Sequence, residues 1–132
     1  MTFREDLERL CREAYSADVK GSGSVVDFEP QLEAILSHCQ RAITEGNEDE
    51  VVSGLVAVGK GEIEAPEETV MFCLHKLRLA RVVGLLDLYQ KSLDPDSRRS
   101  HEYKFGYLPE IRESITDEWD AKDLFRAYRE SK

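Results

Sequence analysis

The chain has no apolar run long enough to cross a membrane as a helix, which takes about 20 residues. Its most apolar region, residues 66–93, is interrupted by His75, Lys76, Arg78, Arg81 and Asp87. The first residues are charged from Arg4 onward and contain no apolar segment of the kind found in secretory signals. We therefore expect no membrane association and no export by a signal peptide.

Cysteine is scarce as well. The three cysteines are Cys11, Cys39 and Cys73, and no two of them form a CxxC pair. An odd count without paired spacing argues against a disulfide framework. Each cysteine falls on the apolar face of a predicted helix, where a free thiol packs as a small hydrophobic group. The sequence therefore predicts reduced, structural thiols in a cytoplasmic protein.

Motifs for metal, cofactor or catalytic chemistry are missing. His38 adjoins Cys39, and Cys73 lies two residues before His75, but such neighbours on a helix point about 100° and 200° apart and cannot share an ion. The glycine-rich segment 20–24 lacks the Lys-Ser or Lys-Thr ending of a phosphate-binding loop. We therefore expect no metal, no cofactor and no catalytic residues. A small enzyme that uses carboxylates in a pocket between helices is an alternative.

Basic residues are outnumbered by acidic ones, 18 against 27, which gives a formal net charge of −9. Nucleic-acid binding and binding to an anionic membrane surface both require basic patches, so this balance argues against both. The same excess of negative charge favours a protein partner with a basic surface, because opposite charge steers association.

The acidic excess is concentrated in residues 45–69, where one lysine stands against eight carboxylates. These residues fall in loops and first helical turns, which are usually exposed. They lie either on one flank of the third helix or on two separate rims at its ends. The carboxylates that we expect to bind a partner are Glu48, Asp49, Glu50, Glu62, Glu64, Glu67 and Glu68. The alternative is that they only solvate the surface and complement helix dipoles.

Strand patterns are nearly absent, whereas apolar residues recur at helical spacing along most of the chain. We predict helices over Thr2 to Val19, Asp27 to Thr44, about 48–60 and 66–93, and a last helix that begins at Thr116. Thr2 with Glu5 and Asn47 with Glu50 have the spacing of capping boxes. The third element is rich in valine and would suit a strand, but no second strand is available to pair with it. The expected fold is an all-α single domain over residues 1–132, either a helical bundle or a short stack of helical hairpins.

The stretch 66–93 is predicted to be one long helix around which the others pack. Pro66 suits the first helical position, and Glu67 and Glu68 would complement the dipole in the first turn. Apolar residues cover most of the circumference of this helix, which is typical of a helix that is buried on several sides.

A group of aromatic residues offers a second possible interface. Tyr103, Phe105 and Tyr107 alternate, which predicts a short extended segment. Tyr107 and Trp119 are the two that we expect at a partner interface, because aromatic side chains dominate binding energy at protein contacts. Packing of these rings in the core is the competing interpretation.

In size, acidity and helical content the chain resembles small acidic inhibitors, such as the immunity proteins that bacteria pair with their own toxins. The resemblance includes no motif and transfers no residue. We predict a non-enzymatic protein that masks the basic surface of a partner protein. The most specific form of this prediction is that the partner is a toxin or a nuclease. The alternative is a helical adaptor or regulatory subunit that binds a partner helix. The oligomeric state is not predicted.

Overall fold

The computed structural model describes residues 2–21, 24–105 and 108–129, with the backbone alone for 101–105. These residues form eight α-helices: α1 Phe3–Lys20, α2 Glu29–Thr44, α3 Glu48–Gly59, α4 Thr69–Leu77, α5 Ala80–Ser92, α6 Pro95–Phe105, α7 Leu108–Ser114 and α8 Arg126–Arg129. Two 3₁₀ segments, Val25–Asp27 and Asp120–Leu124, complete the secondary structure, and the described part contains no strand. The predicted all-α bundle is confirmed.

Helices α2, α3 and α7 pack against α4. Seven of its nine residues are buried, from Thr69 to His75. α2 packs on α1, α3 and α4, while α7 contacts both α4 and α5. In the described ranges, no helix is both long and apolar enough to span a bilayer.

Local signals at the helix ends explain why the first two helices match their predictions. At the start of α1, the Thr2 hydroxyl accepts a hydrogen bond from the Glu5 N–H at 3.1 Å, and the Glu5 carboxylate accepts one from the Thr2 N–H. α2 ends at Thr44, and Gly46 two residues later has a φ of 85°, a left-handed conformation that glycine adopts without strain. Asn47 begins α3, but it makes no side-chain capping bond, so the capping box predicted there is absent.

The third element is a helix, as predicted, and it is tightly enclosed. Eight of the twelve residues of α3 are buried. A Cβ atom at Gly54 would lie 2.6 Å from the Leu7 side chain of α1, and one at Gly59 would lie 2.7 Å from Leu86 of α5. Glycine at these two positions therefore lets α1 and α5 approach α3 closely.

The prediction of one continuous helix over 66–93 is wrong, because the chain breaks at Arg78. This residue adopts left-handed φ and ψ values of 54° and 37°, which end α4, and α5 begins at Ala80. The Arg78 guanidinium donates to the carbonyl oxygens of His75 and Ile115 and to the Asp117 carboxylate. The contacts with Ile115 and Asp117 stabilise the left-handed conformation of Arg78 that separates α4 from α5. Pro66 precedes the first helical residue, Thr69.

The prediction of a regular last helix from Thr116 is also wrong. The segment instead forms the 3₁₀ turn Asp120–Leu124, an extended Phe125 and the short α8. In a straight helix Trp119 and Tyr128, nine residues apart, would point in opposite directions. Their ring centroids are 6.3 Å apart, so the irregular backbone brings both rings to one side.

The extended segment predicted around Tyr103 and Phe105 is helical, because both residues belong to α6. Tyr107 lies outside the described residues. Arg98, in the same helix, donates to the carbonyl oxygens of Gln90, Lys91 and Leu93 and thereby caps the end of α5.

Candidate interaction surfaces

The acids at the start of α3 share their surface with a cation. Glu48, Asp49 and Glu50 occupy the first turn and are exposed. Arg81, in the first turn of α5, places a guanidinium nitrogen 2.8 Å from an Asp49 carboxylate oxygen and 3.8 Å from one of Glu48. Arg81 therefore neutralises part of this negative charge within the chain.

Asp49 and Glu62, at opposite ends of α3, line a single cleft of about 310 Å³ between α3 and α5. Hereafter it is called the α3–α5 cleft. Its other charged side chains are Arg4, Lys60 and Arg81, so cations outnumber carboxylates in its wall. These two acids thus share one flank, but that flank is not negatively charged.

A different group of acids makes no such ion pair in the part of the chain that the structure describes. Asp18 near the end of α1, Glu67 and Glu68 before α4, and Glu110 of α7 lie close enough to repel one another. We call these four residues the carboxylate cluster. Burial, with repulsion from Asp18 and Glu110, raises the pKa of Glu67. Burial also raises the pKa of Glu68, as do Glu67, Asp18 and Glu110.

Glu64 is exposed on the connection between α3 and α4. Its neighbour Ile63 is buried and anchors this connection to the core. Glu64 therefore lies on the outer surface of the loop that leads into the carboxylate cluster.

Trp119, expected at a partner interface, is 1% exposed. Its ring lies 5.2 Å from His75 and 5.8 Å from Phe125, in an aromatic group that also includes Phe72 and Tyr128. The Tyr128 hydroxyl donates to the Phe72 carbonyl oxygen. Trp119 is thus a core residue, in agreement with the competing interpretation.

The two described histidine side chains have structural partners. His75 Nδ1 donates to the Ser114 carbonyl oxygen at 2.9 Å and ties α4 to the end of α7. His38 Nε2 donates to the Phe3 carbonyl oxygen, and its ring stacks on Phe3 at 4.5 Å. Within the described ranges, no three histidine, cysteine, aspartate or glutamate side chains come together as metal ligands.

The three cysteines come from three helices and meet in the core as free, buried thiols. Cys73 is hydrogen-bonded to Cys39, which raises the pKa of Cys73, as does burial. Burial also raises the pKa of Cys11 to about 12, with a contribution from Cys39. Their proximity depends on how α1, α2 and α4 pack, so spacing along the sequence does not show it.

Sequence reasoning missed Asp18 and Glu110 of the carboxylate cluster and the neutralising role of Arg81. Asp18 and Glu110 lie outside the acidic segment, and only the packing of α1 and α7 brings them near Glu67. No signal in the sequence pairs them. The role of Arg81 was equally hidden, because its place at the start of a helix, where positive charge is unfavourable, results from the break at Arg78.

No known protein family, curated protein sequence or solved structure matches this chain. Its function is therefore argued from its own residues.

Proposed function

We propose that this chain is a non-enzymatic protein that binds a basic surface of a partner protein, in the manner of an inhibitor or immunity protein. The observation that carries the proposal is the carboxylate cluster. Three separated parts of the chain bring like charges together, and partial burial together with their repulsion opposes ionisation of Glu67 and Glu68. A partner that places lysine or arginine side chains there would relieve this repulsion, and the relief would contribute to binding.

The carboxylates of the α3–α5 cleft are poorer candidates for binding a basic partner than those of the carboxylate cluster. Asp49 is already paired with Arg81, and Glu62 shares the cleft with Lys60. The carboxylates of this flank have less to gain from an external cation. We therefore assign docking to Glu67, Glu68 and the adjacent Glu64, with Asp18 and Glu110 completing the surface.

The net charge of −9 supports the same partner chemistry at longer range. A strongly acidic protein attracts a basic one over about a Debye length, roughly 10 Å at 0.1 M salt, and this attraction raises the association rate. The active sites of nucleases and of many toxins are basic, and clustered carboxylates can occupy the positions of phosphates. The three free thiols support a cytoplasmic location for this activity.

The proposal is tested by capture from an extract of the native cell with two matched variants. Glu67→Lys with Glu110→Lys reverses two charges in the carboxylate cluster. Asp96→Lys with Glu118→Lys reverses two exposed acids elsewhere and gives the same net charge. We expect a basic protein to be captured by the wild type and by the second variant, but to be lost from the first.

Binding kinetics with the captured protein then test the mechanism. We expect the cluster variant to associate about tenfold more slowly at low salt than the matched control, and the two rates to converge at high salt. An equal association rate for the two variants, or capture that tracks net charge alone, would contradict docking at the carboxylate cluster.

A further inference from the structure

The outer side of α5 is apolar although it faces solvent. Leu85 is 42% and Leu88 65% exposed. Arg81 and Gly84 precede them at the spacing that places all four on one side of the helix. These four residues are called the α5 face, and Leu85 also lines the α3–α5 cleft.

Among the described residues, no close contact requires glycine at position 84. Gly54 and Gly59 stand where a Cβ atom would meet Leu7 or Leu86, whereas a Cβ atom at Gly84 would meet nothing within 4 Å. Glycine disfavours the interior of a helix unless another backbone must approach it closely. Its place between Arg81 and Leu85 on the α5 face leaves room for a helix from outside.

The charges around the α5 face indicate which protein supplies the partner helix. The α3–α5 cleft beside it carries Asp49 and Glu62 together with Arg4, Lys60 and Arg81, so both signs are present. A uniformly basic or acidic partner would be complementary to only part of this surface. A second copy of the chain brings both signs in the same arrangement, as a two-fold interface requires.

We propose that two copies of this chain associate through the α5 face, with their α5 helices crossing at Gly84 and Leu88 of each copy entering the α3–α5 cleft of the other. The buried side chains Val52 and Val56 form the apolar lining that receives Leu88. The carboxylate cluster consists of other residues, so this dimer and the proposed partner docking are independent.

Sedimentation equilibrium of the full chain over about a thousandfold range of concentration tests the dimer. We expect the mass to rise from 15.1 kDa to twice that value. Leu88→Glu should weaken dimerisation at least tenfold, because it places a charge in an apolar contact. Leu124→Glu is the matched control, since Leu124 is similarly exposed, at 58%, but lies outside the α5 face.

Gly84→Gln provides a variant that should remain folded, because glutamine favours a helix more than glycine does. Its side chain fills the space at the crossing, so we expect it to shift the protein to monomer while the thermal midpoint measured at low concentration stays the same or rises. A mass of one chain at every concentration would overturn the proposal. Equal weakening by Leu88→Glu and Leu124→Glu, or a dimer unaffected by Gly84→Gln, would also overturn it.

Discussion

Glu29 and Arg126 are 97 positions apart, yet the Glu29 carboxylate accepts a hydrogen bond from the Arg126 backbone N–H at 3.0 Å. Its second oxygen accepts one from the Ala127 N–H at 2.9 Å. Glu29 is 6% exposed, so a carboxylate at the start of α2 accepts hydrogen bonds from the first N–H groups of α8. This contact fastens the C-terminal aromatic segment onto the bundle.

Replacement of Glu29 should release that segment. We expect Glu29→Ala to lower the free energy of unfolding by about 1–3 kcal/mol, because two partly buried hydrogen bonds to its carboxylate are lost. Urea unfolding followed by fluorescence of Trp119, the one tryptophan, measures this loss. Glu33→Ala, an exposed acid on the same helix, is the control and should change stability by less than about 0.5 kcal/mol. Equal stability of the two variants would contradict the role of Glu29.

Glu68 should give the fold an unusual response to pH. Its pKa is raised above the ordinary 4.5, so the folded state retains a proton where the unfolded state has lost it. The corresponding stability is present at low pH and is lost as pH rises through the folded pKa. We expect Glu68→Gln to stabilise the protein at pH 7 by up to about 1 kcal/mol, the scale of like-charge pairs near a surface.

The gain from Glu68→Gln should shrink as the pH is lowered to about 4, where Glu68 itself becomes protonated. Thermal unfolding at a series of pH values measures the difference. Glu64→Gln, on the same exposed connection, is the control. A stabilisation by Glu68→Gln that is the same at every pH would show that the ionisation of Glu68, opposed by its burial and by the neighbouring carboxylates, is not its cause.

The break at Arg78 can be tested through its backbone. Both Arg78→Ala and Arg78→Gly remove the three hydrogen bonds of the guanidinium, whereas only glycine adopts the left-handed conformation without strain. We expect the alanine variant to be less stable than the glycine variant by about 1 kcal/mol in urea unfolding. In a regular helix the alanine variant would be the more stable of the two. A more stable alanine variant would therefore contradict a left-handed conformation at Arg78.

The thiols should be inert in the folded protein and reduced. With the pKa of Cys11 at about 12, only about one Cys11 thiol in ten thousand is ionised at pH 8, and burial blocks access to all three cysteines. We expect iodoacetamide to label none of them within minutes under native conditions. In denaturant without reductant it should label all three, as counted by mass spectrometry. A labelled count of one after denaturation would reveal a disulfide.

The parts of the fold that could be predicted from the sequence are those determined by interactions between residues close together in the chain. The start of α1 follows from Thr2 and Glu5, which satisfy each other across one turn. The break at Arg78 depends on Ile115 and Asp117, nearly forty residues later. Apolar periodicity continues through the break because residues on both sides of it are buried, although against different neighbours.

The same distinction applies to the candidate surfaces. The sequence located the acidic segment, but which of its charges are compensated depends on tertiary contacts. Asp49 meets Arg81 across the cleft, while Glu67 meets Asp18 and Glu110 instead of a cation. Trp119 was ambiguous because its burial depends on the irregular path of the segment around it.

The position of the aromatic group in the chain sets an order of events during synthesis. Phe72 and His75 leave the ribosome more than forty residues before Trp119, Phe125 and Tyr128, with which they pack. Until those rings emerge, the nascent protein exposes one side of α4 to solvent. Compaction of the half-made chain is therefore incomplete, and a chaperone that recognises exposed aromatic side chains has a defined interval in which to act.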